Sequence, residues 1–247
     1  MPRTPAAGSL GRDLQPAQLL KRYHRRTRRK VPWLQTFALA LLLPLLSLIA
    51  RVRITGRENI PDGGYIAAAN HHSNLDALFL ALAIRRRLRF MGKSELFDGR
   101  WGWLLNRLGA FPVQRGVWDT DAFETAATVL TRGRVMSIFP EGGVHTERVQ
   151  AKSGVGHIAH LAAATVLPVY LDGTRSLYTP SRWPKVRVII GAPLHVEQDA
   201  QPTREQSQHT AQRILDAIYD LAEPGTGPAD TLRGTAPYSS SAAPAET

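Results

Sequence analysis

From residue 52 onward, short apolar runs alternate with segments in which apolar residues recur every three or four positions. Continuous apolar runs are typical of buried strands, and the helical spacing is typical of amphipathic helices. The runs predict strands over 52–54, 65–69, 88–91, 110–113, 135–139, 165–171 and 186–190, and the spacing predicts helices near 74–84, 101–108, 119–131 and 204–222. This alternation predicts an α/β domain over residues 52–223, with a mostly parallel central sheet flanked by helices.

A leucine-rich segment without any charge, residues 33–50, precedes this domain. As a helix it would be about 27 Å long, slightly short of the roughly 30 Å hydrocarbon core of a bilayer, and Pro44 would kink it. A signal peptide, a single span, a helix within one leaflet and a buried core helix are the alternatives, and no small-x-small cleavage site supports the first. A single span would place the domain outside the cell. We therefore expect residues 31–51 to form a membrane-associated helix or kinked hairpin at the cytoplasmic face of the cell membrane.

The net charge of +11 is concentrated at the N-terminus, where residues 1–30 hold nine Arg and Lys against Asp13 alone. Such a basic arm suits anionic lipid headgroups, whereas a nucleic-acid-binding protein needs basic side chains spread over a folded surface. Nucleic acid is therefore not expected as a partner. Residues 224–247 are rich in Gly, Pro, Ser, Thr and Ala and predict a disordered tail. The absence of cysteine excludes disulfide scaffolds, thiolate zinc sites and cysteine nucleophiles.

The most informative motif runs from Asn70 to Asp76, where a predicted strand turns into a helix. A carboxylate at the start of the helix can reach back to the ring of His71, fix its tautomer and leave the other ring nitrogen as a base. The alternative is a helix start capped by Ser73 or Asn74 with both histidines as bystanders. His72 is a competing base, and no third ligand suggests a metal site.

Four further stretches are weaker signals. Arg115 follows a strand and suits a phosphate or carboxylate, although surface arginines are common there. Glu141 lies between Pro140 and Gly142 after a buried strand, where it can bind a substrate hydroxyl or simply be a solvated turn residue. Residues 152–159 open a helix with small side chains that let an anion approach. The arginines at 85–87 and 89 are by default a solvated helix end, and otherwise they suit lipid phosphates, the acidic groups of an acyl carrier protein or nucleic acid.

In this order the motifs resemble the glycerolipid acyltransferase family, typified by 1-acylglycerol-3-phosphate acyltransferases. The resemblance extends over about residues 59–173. Its His-x4-Asp block corresponds to His71 through Asp76, its second block to Gly109–Arg115, its Phe-Pro-Glu-Gly block to Phe139–Gly142 and its late block to Leu167–Val169, with a lesser similarity at Lys93–Leu96.

The resemblance implies transfer of a fatty acyl group from acyl-CoA or acyl carrier protein to the hydroxyl of a membrane lysophospholipid, with 1-acyl-sn-glycerol 3-phosphate as the favoured acceptor. His71 would be the general base and Asp76 its orienting partner, and no metal or bound cofactor would be needed. The substrate-binding residues that it implies are Arg115, Glu141, Gly142, Gly143, Asn70, Ser73 and Lys93.

One block departs from the family pattern. The family often continues the third block with Thr-Arg-Ser, whereas this chain has Gly143, Val144, His145 and Thr146. Arg148 or His145 can replace the missing basic residue, or the acceptor can be a different lysolipid or hydroxyl compound. A membrane lipid-binding protein without turnover is the non-enzymatic alternative. A serine hydrolase is not supported, because no Gly-x-Ser-x-Gly motif occurs.

Overall fold

The computed structural model describes residues 16–30, 33–99, 101–178 and 183–222. In these residues eight strands form one sheet in the order β1-β7-β6-β2-β5-β3-β4, with β8 beside β6. The strands are β1 (Arg51–Thr55), β2 (Tyr65–Ala69), β3 (Leu88–Lys93), β4 (Ala110–Val113), β5 (Val135–Ile138), β6 (Thr165–Asp172), β7 (Lys185–Ile190) and β8 (Leu194–His195). Strands β2 to β6 run parallel to one another, and β7 and β8 pair antiparallel with β6. The prediction of a mostly parallel sheet is confirmed.

Helices cover both faces of this sheet. They are α1 (Pro16–Arg29), α2 (Trp33–Ile49), α3 (Asp76–Ile84), α4 (Gly102–Arg107), α5 (Thr120–Thr131), α6 (Gly154–Leu161) and α7 (Arg204–Asp220). Helices α5, α6 and α7 enclose one apolar core, and α2 and α3 enclose the other. The middle strand β2 is buried along its whole length, with alternate residues in the two cores, which explains its uninterrupted apolar sequence.

Part of the predicted basic arm is a helix packed on the domain. In α1 the side chains of Tyr23, His24 and Thr27 are buried, and the helix contacts α5 and β4. Arg89 and Arg134 donate hydrogen bonds to carbonyls at the C-terminal end of α1. Arg89, expected as a candidate for lipid phosphates, is therefore a buried cap of this helix. Residues 1–15 lie outside the described residues.

The apolar segment forms one helix, α2, which packs along only one side. Leu46 is buried against α3, and the amide of Gln35 donates to the carbonyl oxygen of Leu88 at 3.0 Å. The opposite side is exposed over the length of the helix, at Trp33, Phe37, Leu41, Leu45 and Leu48. Among the described residues, none of the helices combines the length and apolar character needed to cross a bilayer. The predicted tail at 224–247 lies outside the described residues.

Candidate active site

The site lies where the carboxyl ends of β2, β5 and β6 meet. Asn70 follows β2 and is fully buried. Its side-chain nitrogen donates to the carbonyl oxygen of Leu171 in β6 at 2.8 Å, and its side-chain oxygen accepts from the backbone amide of Leu171 at 2.7 Å. The side chain of Ser73 accepts a hydrogen bond from the backbone amide of Leu75 at 3.1 Å. Both side chains, expected to contact substrate, bond to the protein itself: Asn70 ties the loop that carries His71 to β6, and Ser73 bonds within that loop. They hold that loop in place.

Asp76 begins α3 and is fully buried. Its Oδ2 accepts hydrogen bonds from His71 Nδ1 at 3.0 Å and from the backbone amides of His72 and Ser73, both at 2.7 Å. Its Oδ1 accepts one from the hydroxyl of Thr174 at 2.6 Å. Because a carboxylate only accepts, His71 carries its proton on Nδ1, and the lone pair on Nε2 is left for a substrate.

Three further contacts fix the position of His71. Its ring stacks on Phe139 at a centroid distance of 4.0 Å. Its backbone amide donates to Glu141 at 2.6 Å, and its carbonyl accepts from the amide of His145 at 2.9 Å. The side chain is still 16% exposed, so an acceptor can reach it. Because these contacts already hold the imidazole in one orientation, little entropy is lost when it is aligned for proton transfer.

His72, the competing base, has a different environment. Its Nδ1 lies 3.3 Å from the amide nitrogen of Asn70, and its Nε2 lies 3.3 Å from the hydroxyl of Tyr219. Both ring nitrogens therefore meet neutral partners of the protein. The carboxylate contact that a general base needs is made by the ring of His71, and the geometry favours His71 for that role.

Glu141 is 1% exposed and joins β5 to two other elements. Its Oε2 accepts from the amide of His71, and its Oε1 accepts from the hydroxyl of Tyr219 in α7 at 2.7 Å. Burial and this hydrogen bond raise the pKa of Tyr219, so the phenol stays protonated as a donor. Both oxygens of Glu141 thus have partners in the protein.

Gly142 follows with a φ of 75°, and a Cβ there would lie 3.0 Å from the side chain of Lys152.

The predicted basic residues lie along the same edge of the sheet. The strand order β2-β5-β3-β4 and the spacing of about 4.8 Å between strands put the end of β3 about 10 Å, and the end of β4 about 14 Å, from that of β2. Lys93 ends β3 and pairs with Glu95 at 3.1 Å, and Arg115 is exposed just beyond β4. Arg148 pairs with Asp216. Lys93 and Arg115 therefore lie in the far part of a row of strand ends that begins at His71, whereas Arg148 lies against α7.

Two contributors to the site lie outside the motifs recognised in the sequence. Thr174 follows β6 and is 98 positions from Asp76, and Tyr219 is 78 positions from Glu141. No local pattern marks either residue, since Thr174 begins a short 3-10 helix and Tyr219 is one of several partly apolar positions on an amphipathic helix. In the described part of the chain, no three His, Asp or Glu side chains form a group that could hold a metal ion.

The known proteins that this chain resembles are acyltransferases. The sequence model of the family described as Acyltransferase matches residues 51–172. The chain is 31% identical over 189 residues to a 1-acyl-sn-glycerol-3-phosphate acyltransferase from Bacillus subtilis, covering 75% of this chain and 95% of that protein. It is 29% identical over 188 residues to the protein of the same name from Streptococcus pneumoniae, covering 74% and 70%.

The fold also resembles a solved structure, that of the 1-acyl-sn-glycerophosphate (LPA) acyltransferase PlsC from Thermotoga maritima. The TM-score is 0.55 with 25% sequence identity, over 82% of this chain and 88% of that one. The region matched by the family includes His71, Asp76 and Glu141, and it ends before Thr174 and Tyr219.

Proposed function

This chain belongs to the lysophosphatidate acyltransferase-like family of O-acyltransferases, and we propose that it acylates the free hydroxyl of a lysophospholipid with His71 as general base. The favoured acceptor is 1-acyl-sn-glycerol 3-phosphate, the substrate in the names of its relatives, and the product is phosphatidic acid. The donor is a fatty acyl thioester of coenzyme A or acyl carrier protein. The observation that supports this most is the bond between Nδ1 of His71 and the buried carboxylate of Asp76.

The reaction follows from the free Nε2 of His71. As the acceptor oxygen attacks the thioester carbonyl carbon, its proton passes to Nε2, and Asp76 stabilises the resulting imidazolium. The tetrahedral intermediate then collapses with formation of the ester and cleavage of the C–S bond. The leaving thiolate takes the proton from the imidazolium, so the base is regenerated without a metal or a bound cofactor. General-base assistance of this kind typically contributes about 10²–10⁴-fold.

The charge of the acceptor phosphate requires basic side chains beside the base. Lys93 ends β3 and Arg115 lies just beyond β4, the two strands that follow β5 in the sheet order, and we assign the phosphate to these two side chains. We assign Gly142 and Gly143 to the acceptor site as well, since they follow directly on Glu141, which bonds the backbone of His71. An acceptor with another headgroup is the alternative, because Val144 carries no charge where the family pattern has a basic residue.

The exposed face of α2 supports attachment to the cytoplasmic face of a membrane. Trp33, Phe37 and Leu41 lie on one side of the helix and leave a continuous apolar strip in water. Such a helix is stable when it lies in the bilayer interface with its apolar face toward the acyl chains, and Trp is favoured at that depth. Helix α1 adds exposed basic residues, including Lys21 and Arg25, that attract anionic headgroups.

Acceptor-dependent thiol release tests the proposal. Purified full-length protein is given a long-chain acyl-CoA or acyl-ACP, with and without 1-acyl-sn-glycerol 3-phosphate, and the lipid product is identified by mass spectrometry. We expect release that requires the acceptor and yields phosphatidic acid. Thiol release that occurs only with another lysolipid would show that the acceptor is not 1-acyl-sn-glycerol 3-phosphate. Lipid binding without thiol release from any donor would contradict the proposal that the protein is an enzyme.

A further inference from the structure

We propose that Tyr219, on the C-terminal helix α7, is a positioning residue for this reaction, acting through Glu141 on the backbone of His71. The inference rests on the proposed function, because it concerns the geometry of the base. It adds a residue from beyond the stretch matched by the acyltransferase family, which ends at residue 172.

The donor and acceptor roles around the phenol are determined by its neighbours. The carboxylate of Glu141 can only accept, so the hydroxyl of Tyr219 donates its proton to Oε1 at 2.7 Å. The phenol oxygen is then free to accept from Nε2 of His72 at 3.3 Å. This requires His72 to be unprotonated at Nδ1, where the amide nitrogen of Asn70 lies at 3.3 Å and can donate. The directions of all three hydrogen bonds are therefore consistent.

This hydrogen bond matters because Glu141 is buried and holds the base. Its Oε2 accepts from the backbone amide of His71 at 2.6 Å, and its Oε1 accepts from Tyr219. Without the phenol hydroxyl, Oε1 would be a buried carboxylate oxygen that has lost its donor, which is costly. The carboxylate could regain a partner by rotating away from His71. The ring of His71 would then move relative to the acceptor hydroxyl.

Helix α7 holds Tyr219 in place by contacts that do not involve its hydroxyl. Ile214, Leu215 and Ile218 are buried in the core. Gly156 of α6 lies so close to α7 that a Cβ there would be 2.0 Å from the carbonyl oxygen of Ser207. Removal of one hydroxyl therefore leaves the helix where it is.

The other groups that face the ring keep their contacts in a phenylalanine variant. The guanidinium of Arg148 lies 5.0 Å from the ring centroid, and the ring of Tyr170 lies 6.0 Å away. Both contacts are made by the ring, not by the hydroxyl. Tyr219→Phe thus removes the hydrogen bonds of the phenol and little else, and Tyr170→Phe makes the same chemical change on the neighbouring ring.

The test is a double-mutant cycle with Tyr219→Phe, Glu141→Ala and the double variant, with activity normalised to folded protein measured by circular dichroism. We expect Tyr219→Phe to lower kcat about 10- to 100-fold, the effect of one hydrogen bond to a charged group, with both KM values changed less than about twofold. In the Glu141→Ala background, where the phenol has lost its partner, the same substitution changes kcat by less than about twofold, because Tyr219 acts through Glu141. Tyr170→Phe keeps wild-type kcat.

An unchanged kcat in Tyr219→Phe, a loss confined to KM, or losses that multiply in the double variant would each overturn the role of Tyr219. The wild-type protein separates this failure from failure of the proposed function. If the wild type shows no acyl transfer that depends on an acceptor, the function is wrong. If it is active and Tyr219→Phe is equally active, only the inference about Tyr219 is wrong.

Discussion

At the scale of single residues, the site is built around one carboxylate with four donors. Asp76 is fully buried, and His71 is one of the four groups that bond to it. The two backbone donors come with the turn itself, so they are fixed once the loop folds. The hydroxyl of Thr174 is the donor contributed from another strand end, and it is the sole one of the three orienting donors that a side-chain substitution removes.

Thr174→Val tests how far this hydroxyl orients Asp76. Valine has nearly the same shape, so the change removes the 2.6 Å hydrogen bond and leaves a buried carboxylate oxygen without that donor. We expect kcat to fall about tenfold and the free energy of unfolding to fall by about 1–3 kcal/mol. Steady-state kinetics and urea denaturation measure the two effects, with the exposed Thr131→Val as control. A variant with wild-type kcat would show that the other three donors suffice.

At the scale of elements, α1 and α2 attach to the domain in different ways. Helix α1 buries His24 and Thr27 against the domain and is capped there by arginines. Helix α2 buries one side against the domain and leaves an apolar face exposed to water along its length. The first helix therefore contributes to stability, and the second presents a surface.

Substitution of Leu41 by Asp tests the surface of α2. Leu41 is 77% exposed and lies in the middle of the apolar face, so the change costs no packing within the protein. Loss of one large apolar contact and repulsion from anionic headgroups are expected to weaken binding to anionic vesicles at least about tenfold. Vesicle co-sedimentation measures the binding, with Gln201→Asp, an exposed site before α7, as the matched added charge. Equal binding of both variants would place the membrane contact elsewhere.

The packing of α1 makes stability depend on pH. Burial lowers the pKa of His24, which bonds Thr125 in α5 through Nδ1 at 3.0 Å. The folded protein therefore keeps His24 neutral at pH values where the unfolded chain, with a pKa near 6.5, already binds a proton. Stability is full above about pH 6.5, falls as the pH drops below that value, and levels off below the folded pKa. His157, whose pKa burial also lowers, acts in the same direction.

Urea denaturation between pH 7.5 and 5.5 measures this effect. We expect the free energy of unfolding to decrease on acidification. His24→Gln should remove only part of that decrease, because His157 still contributes its own part. The exposed His209→Gln serves as control, because its exchange should leave the slope unchanged. A wild-type protein that becomes more stable toward pH 5.5, or a His24→Gln variant with the wild-type slope, would contradict the sign.

At the scale of the whole molecule, what could be predicted from the sequence was local. The strand at 65–69 was predicted to the residue because it is buried on both faces and therefore continuously apolar. The pair of His71 and Asp76 was predictable because five positions separate them. Helix α1 was not foreseen, since its few buried positions lie among exposed arginines and only packing on α5 distinguishes it. Thr174 and Tyr219 were missed because tertiary folding alone brings them to the site.

The central claim is that acyl transfer depends on Nε2 of His71. The most direct measurement compares acceptor-dependent thiol release from a long-chain acyl thioester by the wild type, His71→Ala and the exposed His209→Ala. We expect His71→Ala to lose about 10²–10⁴-fold in kcat while it keeps its fold and its binding to vesicles, and His209→Ala to keep full activity. A His71→Ala variant that releases thiol at the wild-type rate would contradict the account.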